Sequence, residues 1–281
     1  MGIHPDIQAA LALAGGLEPE KIRLAETAIQ LSAVNRPHIQ HEQYYNQVRT
    51  LGHDVLKSHK LLLQTQEDSA SLRCVALSDA LFQLHAYHAI AHEEMPQNIH
   101  DFDMINVMQN AKGNASMLSL LCASLAHHAG WDVHLLALPG TLLCRMDYED
   151  DRVIFDPAAR CRVLSAPDLR NIVKHYAGDS AELSATYYEP ISKRDALVFV
   201  QNKVKYYQIA AEDYAAAADT IDALILMAPD EHRLWLDAGV VFAKVGRLRE
   251  AADYLERYIE TTPDRRARHE AAILLQQIRD T

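Results

Sequence analysis

Positive charge is scarce in this chain of 281 residues: 27 Lys and Arg stand against 38 Asp and Glu, a formal net charge of −11. A surplus of that sign repels phosphate backbones and anionic headgroups, so neither nucleic-acid nor membrane-surface binding is expected. No apolar run reaches the roughly 18 residues of a membrane-spanning helix. The N-terminal stretch MGIHPDIQAALALAGG has no basic leader before its apolar residues, which argues against a secretory signal. Asp6 stands where a myristoylation pattern needs Ser or Thr. Cysteine is sparse: Cys74, Cys122, Cys144 and Cys161 show no CxxC spacing, and Cys122 and Cys144 have apolar neighbours. That composition fits reduced thiols in a cytoplasm, not a disulfide framework. The HExxH spacing of zinc hydrolases is missing, and no cofactor is expected.

What remains is a hydrophobic fraction of 49% and a charged fraction of 23%, those of a globular protein with enough length for two modest domains. Ile22, Ala25, Ile29 and Ala33 repeat at helical spacing over 18–33, as do Val48, Leu51, Val55 and Leu62 over 40–64. A third helix is predicted over 69–92, capped by Asp68 or Ser69 and stopped by Pro96, and a short one over 101–111 before Gly113. Residues 115–129 (Met117, Leu118, Leu120, Leu121, Leu125) form a helix apolar on most sides, ended by Gly130. Strand-like runs follow at 131–138, 141–147, 152–156 and 161–164, with turns at Pro139-Gly140 and Asp147–Asp151. Ala166-Pro167-Asp168 opens another helix that ends near Gly178. One helix on a small antiparallel sheet defines an α+β core in a mostly helical chain.

From about residue 193 the pattern is purely helical. Pro229-Asp230 recurs 34 residues later as Pro263-Asp264, the tetratricopeptide period. Between them Trp235, Gly239, Phe242, Gly246 and Ala251 fall near that repeat's large and small positions. The preceding unit, 198–231, keeps Ala217 and Pro229 but has Gln201 where a large aromatic belongs. Residues 265–279 read as a closing helix. The expected division is an N-terminal helical segment 1–68, the α+β domain 69–192 and the repeat region 193–281.

Chemistry centres on three segments, GNASMLSLL, LPGTLLCRM and VIFDPAARC. A papain-like acyl-transfer site puts a Cys at the N-terminus of a buried helix, where the helix dipole lowers its pKa. A His base sits on a neighbouring strand and an acid on the next. Here the nucleophile position falls at Ala115, the base position at Thr141, and only the acid, Asp156, is kept; Asp156-Pro157 is also ordinary strand-end turn chemistry. A relocated site could draw on Ser116, Ser119 or Cys122 with His134 as base. His85, His88 and His92, spaced i, i+3, i+7 on one helix face, with Glu93, Glu94 and His100 nearby, form a metal alternative. Positions i and i+7 lie about 10 Å apart, however, and a polar helix edge explains them as well. His127 and His128 are placed to meet a helix carbonyl end. The basic tract of Arg247, Arg249, Arg257, Arg265, Arg266 and Arg268 suits a solvated repeat face or an anionic peptide. Trp235, Arg247 and Arg249 are the candidate partner-binding residues.

These segments together resemble a transglutaminase-like core, and the whole order resembles the SirB-type bacterial family, a transglutaminase-like domain followed by tetratricopeptide repeats. The resemblance rests on Gly113-Asn114, Ala129-Gly130-Trp131, Leu138-Pro139-Gly140, Leu142-Leu143, Arg145, Phe155-Asp156-Pro157, Tyr188 to Ser192 and the repeat from Pro229 to Pro263, and covers roughly 70–281. It implies a degenerate papain-like fold in which a small residue after Gly-Asn replaces the Cys. It also implies a Pro-Gly-His where this chain has Pro139-Gly140-Thr141. The expected function is a non-catalytic scaffold whose repeats bind a protein or peptide. The alternatives are a cryptic hydrolase or acyl-transfer enzyme with a relocated site near Asp156, and a His-rich metal-binding protein.

Overall fold

A computed structural model of the chain describes residues 2–36, 39–90 and 98–280. It divides into two compact units, one of residues 19–29 and 40–200, the other of 1–18, 30–39 and 201–281. The expected N-terminal segment 1–68 is thus shared between the two units, because its helices pack on different partners. Among the described residues no helix is long and apolar enough to cross a membrane.

In the first unit, α3 (Glu42–Leu62) and α4 (Ala70–Ser78) pack against one another, and α3 also packs on the central helix α6 (Ala115–His128). Ser69 caps α4, its Oγ accepting the Leu72 N–H at 3.0 Å. The sheet runs in the order β6-β5-β4-β3-β7, all antiparallel. Its strands are β3 (Asp132–Leu138), β4 (Thr141–Tyr148), β5 (Asp151–Asp156), β6 (Arg162–Val163) and β7 (Pro190–Ile191). α6 lies on one face of β3 and β4. On the other face Leu136, Leu138 and Leu143 join Leu169 and Val173 of α7 (Ala166–Ala177) in a second buried cluster. The strand predictions hold within a residue or two, with β7 as an unforeseen edge strand.

The predicted helix over 69–92 is shorter. α4 gives way to a π-helical turn, Asp79–Leu84, and the chain turns at Ala86 with φ 54°. Buried Tyr87 sends its N–H to the Leu81 carbonyl at 2.9 Å, and β1 (His88–Ala89) pairs in parallel with β2 (Lys112–Gly113). A distant strand partner therefore overrides the helical periodicity. The predicted stop at Pro96 lies outside the described residues. The predicted helix over 18–33 begins as a 3₁₀ turn at Pro19–Lys21, and α2 proper is Leu24–Ala33. The one over 101–111 divides into a 3₁₀ turn, Ile99–Phe102, and α5 (Met104–Asn110).

The second unit holds α1 (Pro5–Gly15), the end of α8 (Lys193–Ala210), α9 (Tyr214–Met227), α10 (His232–Lys244), α11 (Leu248–Thr261) and α12 (Arg265–Arg279). α10 and α11 pair as one repeat: a Cβ at Gly239 would meet Leu255 Cγ at 2.4 Å, and Ala251 is fully buried. Small residues therefore set this helix spacing, as the repeat pattern predicts. Asp264 caps α12 by accepting the Arg266 N–H at 2.8 Å. α1, which the repeat pattern does not announce, packs on α9.

Candidate functional site

The start of α6 is built by Asn114. Its Oδ1 accepts the Met117 N–H at 2.9 Å as N-cap, and its Nδ2 donates to the Asp101 carbonyl at 2.9 Å. Ala115 is thereby the first residue of the helix. The next residue, Ser116, accepts the Leu142 N–H on its Oγ at 3.2 Å, and one turn on Ser119 Oγ donates to the Leu142 carbonyl at 2.8 Å. The two hydroxyls fasten β4 to α6, so Thr141 sits beside the helix start. β5 runs antiparallel to β4 and ends at Asp156, whose Oδ1 accepts the Ala158 N–H at 2.8 Å and caps the turn Pro157–Ala159.

Ala115, Thr141 and Asp156 line one cleft of about 570 Å³. Its other walls are Ala89 of β1 and Ile90 after it, Asn114, Leu143 of β4, Ala158 and Ala159, and the α7 residues Asn171, Ile172, His175 and Tyr176. Most of that surface is apolar. Burial pushes the Asp156 carboxyl above its ordinary value, while the Ala158 and Ala159 N–H groups and Arg162 pull the other way. Burial likewise raises the Tyr176 phenol, against a lowering hydrogen bond with Thr141. Gly140, with φ +74°, lets the Tyr176 ring approach: a Cβ there would lie 2.3 Å from Tyr176 Cδ1.

His175 and Tyr176 are cleft residues that sequence reasoning passed over. The available signal was the amphipathic spacing of α7, which puts Asn171 and His175 one turn apart. α7 is held at its start by a capping box: Ser165 and Asp168 exchange hydrogen bonds of 2.8 Å (Ser165 N–H to Asp168 Oδ2) and 3.4 Å (Asp168 N–H to Ser165 Oγ). Hydrogen bonds from Ser165 and from Arg162 lower Asp168 from its ordinary 3.8 to about 2. A depressed carboxylate adds stability that is complete above about pH 4 and lost as pH falls through about 2, so α7 loosens in strong acid. Ser165→Ala is expected to cost about 1 kcal/mol in urea denaturation; an unchanged midpoint would show that the box does not hold this wall.

The alternative nucleophiles and base do not gather in the cleft. Ser116 and Ser119 are buried and bonded to Leu142, and Cys122 is fully buried with its Sγ 3.8 Å from Cys161 Sγ. His134 lines a separate pocket with Glu20, His127 and Lys193. There its Nε2 lies 3.1 Å from Asp132 and 3.7 Å from Asp147. The Asp132, His134 and Asp147 ligand atoms fall within 4.8 Å of one another. Asp147, however, already accepts from Arg145 Nε and Nη2 at 3.0 Å each and from Arg152 Nε at 3.1 Å, so the group is an ion-pair network with the Asp147 charge met.

The expected histidine face is also taken apart. His85 ends the π-helical turn and contacts Asp54 Oδ2 at 2.8 Å, whereas His88 lies on β1 beyond the turn at Ala86. The two do not share a helix, and His92 lies outside the described residues. In the repeat unit Trp235 is 7% exposed, with the Arg257 guanidinium 4.7 Å from its ring. Arg247 spans Asp222 and Glu250 and stacks 3.8 Å from the Phe242 ring. Both residues pack within the repeat; Arg249 stays exposed.

A helix whose N-terminus meets an antiparallel sheet across such a cleft, followed by paired helices of 34-residue period, defines a transglutaminase-like core with a tetratricopeptide region. The family model described as transglutaminase-like superfamily matches residues 42–202, and a tetratricopeptide repeat model matches 204–276. The chain belongs to the transglutaminase-like superfamily. It is similar to the UPF0162 proteins of two Xylella fastidiosa strains, Temecula1 and 9a5c. Each is 22% identical over 255 residues, which span 88% of this chain and 86% of the relative. A crystal structure of menin aligns with 95% of this chain and 68% of its own at 10% identity and a TM-score of 0.39, a likeness that carries no argument.

Proposed function

We propose that this chain is a non-catalytic transglutaminase-like scaffold, whose cleft takes an apolar peptide side chain and whose tetratricopeptide helices bind a protein. The observation that supports this most is at Ala115. The position where a helix N-terminus would activate a thiol presents a methyl group to the cleft. No Cys or Ser side chain lines that cleft among the described residues, so the histidine that does, His175, has no thiol or serine hydroxyl there to activate. Asp156 serves the turn that follows it.

Repeat helices of this kind bind extended or helical segments. Arg249 and Arg265 are exposed, which favours an acidic segment as partner. Four buried free thiols suit a reducing, cytoplasmic setting. The test has two arms. Affinity capture with the full chain and with Arg249→Glu/Arg265→Glu is expected to lose specific partners in the variant, and identical partner sets would refute the repeat surface. Incubation with glutamine-containing peptide and an amine is expected to give no product, and turnover dependent on the chain would refute the non-catalytic half.

A further inference from the structure

Among the described residues, no Lys or Arg side chain lines the cleft at Ala115. A separate cavity of about 440 Å³ in the same unit lies between residues 20–26, α3 and the last turns of α6. Its wall carries Lys21, Arg23, Arg49 and Lys193 against two carboxylates, Glu20 and Glu26. An excess of cations in a concavity runs against a formal net charge of −11 for the whole chain. Walls of low dielectric concentrate such a field within the cavity.

The bonding of these cations leaves them available. Arg49 gives an N–H to Asn46 Oδ1 at 3.0 Å and has no carboxylate partner among the described residues. Lys193 donates to the Glu20 carbonyl at 2.8 Å, and the Glu20 carboxylate favours its charge only in part, against the larger opposing effect of burial. Burial lowers the Lys193 pKa, so a bound anion would relieve an unfavourable charge. Arg23 meets Glu26 only at 3.8 Å. His53 and His128 also line the cavity, their ring centroids 5.4 Å apart. His127 is pushed down to about 4, first by burial and then by the Lys193 charge, and stays neutral at pH 7. The first turn of α2, whose Ala25 N–H meets Ser124 Oγ at 3.4 Å, adds the positive end of a helix.

We infer that this cavity binds a small molecule bearing at least two negative charges on oxygen, gripped by Arg49 and Lys193 with Arg23 and Lys21 beside them. The guanidinium fork suits phosphate and carboxylate alike. The volume falls in the lower part of the range for ligand pockets, about 300–1,000 Å³.

The full chain is melted with inorganic pyrophosphate, with citrate, and with sodium chloride at matched ionic strength. A rise of about 4 °C or more with pyrophosphate or citrate, absent with chloride, is expected. Whichever anion acts identifies a phosphate or a carboxylate source. Arg49→Ala, at an exposed position, is expected to weaken that anion about tenfold or more by titration calorimetry while the unliganded melting temperature stays put. Lys193→Met is expected to do the same; if it does not fold, Arg49→Ala decides alone. No rise in either arm, an equal rise with chloride, or unchanged binding in Arg49→Ala overturns the assignment.

Discussion

Ala115→Cys is expected to create a thiol that alkylates readily at pH 7 in a chain whose own thiols do not. The four native cysteines are 0–4% exposed. Burial pushes the thiols of Cys74, Cys144 and Cys161 upward, so almost no thiolate is present near neutrality. Position 115 differs on both counts. It lines the cleft, and it is the first residue of a helix of 14 residues whose N-cap is already satisfied by Asn114. A thiol there falls in the class lowered to about 3.5–7.5 by helix N-termini, which gives at least about a thousandfold more thiolate at pH 7 than a buried native thiol. Intact mass after brief iodoacetamide treatment checks this: the variant gains one adduct and the native chain gains none. Equal labelling of the two would mean that Ala115 does not face the cleft. Thr141→His alone is expected to yield no acyl transfer in an amine-incorporation assay, because no nucleophile stands in the cleft with it.

Much of this site was legible because its parts are local. The Pro139-Gly140 turn, the apolar helix after Asn114 and the strand ending at Asp156 are each written in neighbouring residues, and their chain order carries the topology. The same holds for Gly239 and Ala251, whose small side chains are required by the helix pair around them. What escaped depends on partners far along the chain. The helix predicted through His92 stops because Tyr87 is buried and His88 and Ala89 find a strand at 112–113, which no periodicity near residue 88 reports. β7 exists only because Pro190 and Ile191 meet Leu136 and Leu135 across more than fifty residues of chain. His175 and Tyr176 reach the cleft through the packing of α7 on the sheet, and the cavity cations come from residues 21, 23, 49 and 193, which nothing in sequence joins.

α1 offers the second large effect, through two adjacent glycines with opposite expected outcomes. An ideal Cβ on Gly15 would lie 2.0 Å from the Leu226 carbonyl oxygen, 3.1 Å from its carbon and 3.4 Å from Met227 Cα. All three are backbone atoms of α9, beside fully buried Leu224 and Met227, so no rotamer change relieves the overlap. Gly15→Ala is expected to cost about 3 kcal/mol or more by forcing the helices apart, a fall of about 6–12 °C in melting temperature. At Gly16 the nearest atoms are the Leu13 and Ala12 carbonyl oxygens at 3.7 and 3.9 Å, and φ is −83°, a value open to any residue. Gly16→Ala is therefore expected to be neutral or to stabilise by up to about 1 kcal/mol through the unfolded chain. The sign of the contrast is the informative part. Were α1 not seated on α9, alanine at Gly15, the last residue of α1, would stabilise for the same reason. Two variants that melt together would therefore remove α1 from the repeat unit, whereas a wide separation fixes the N-terminal helix as part of its packing.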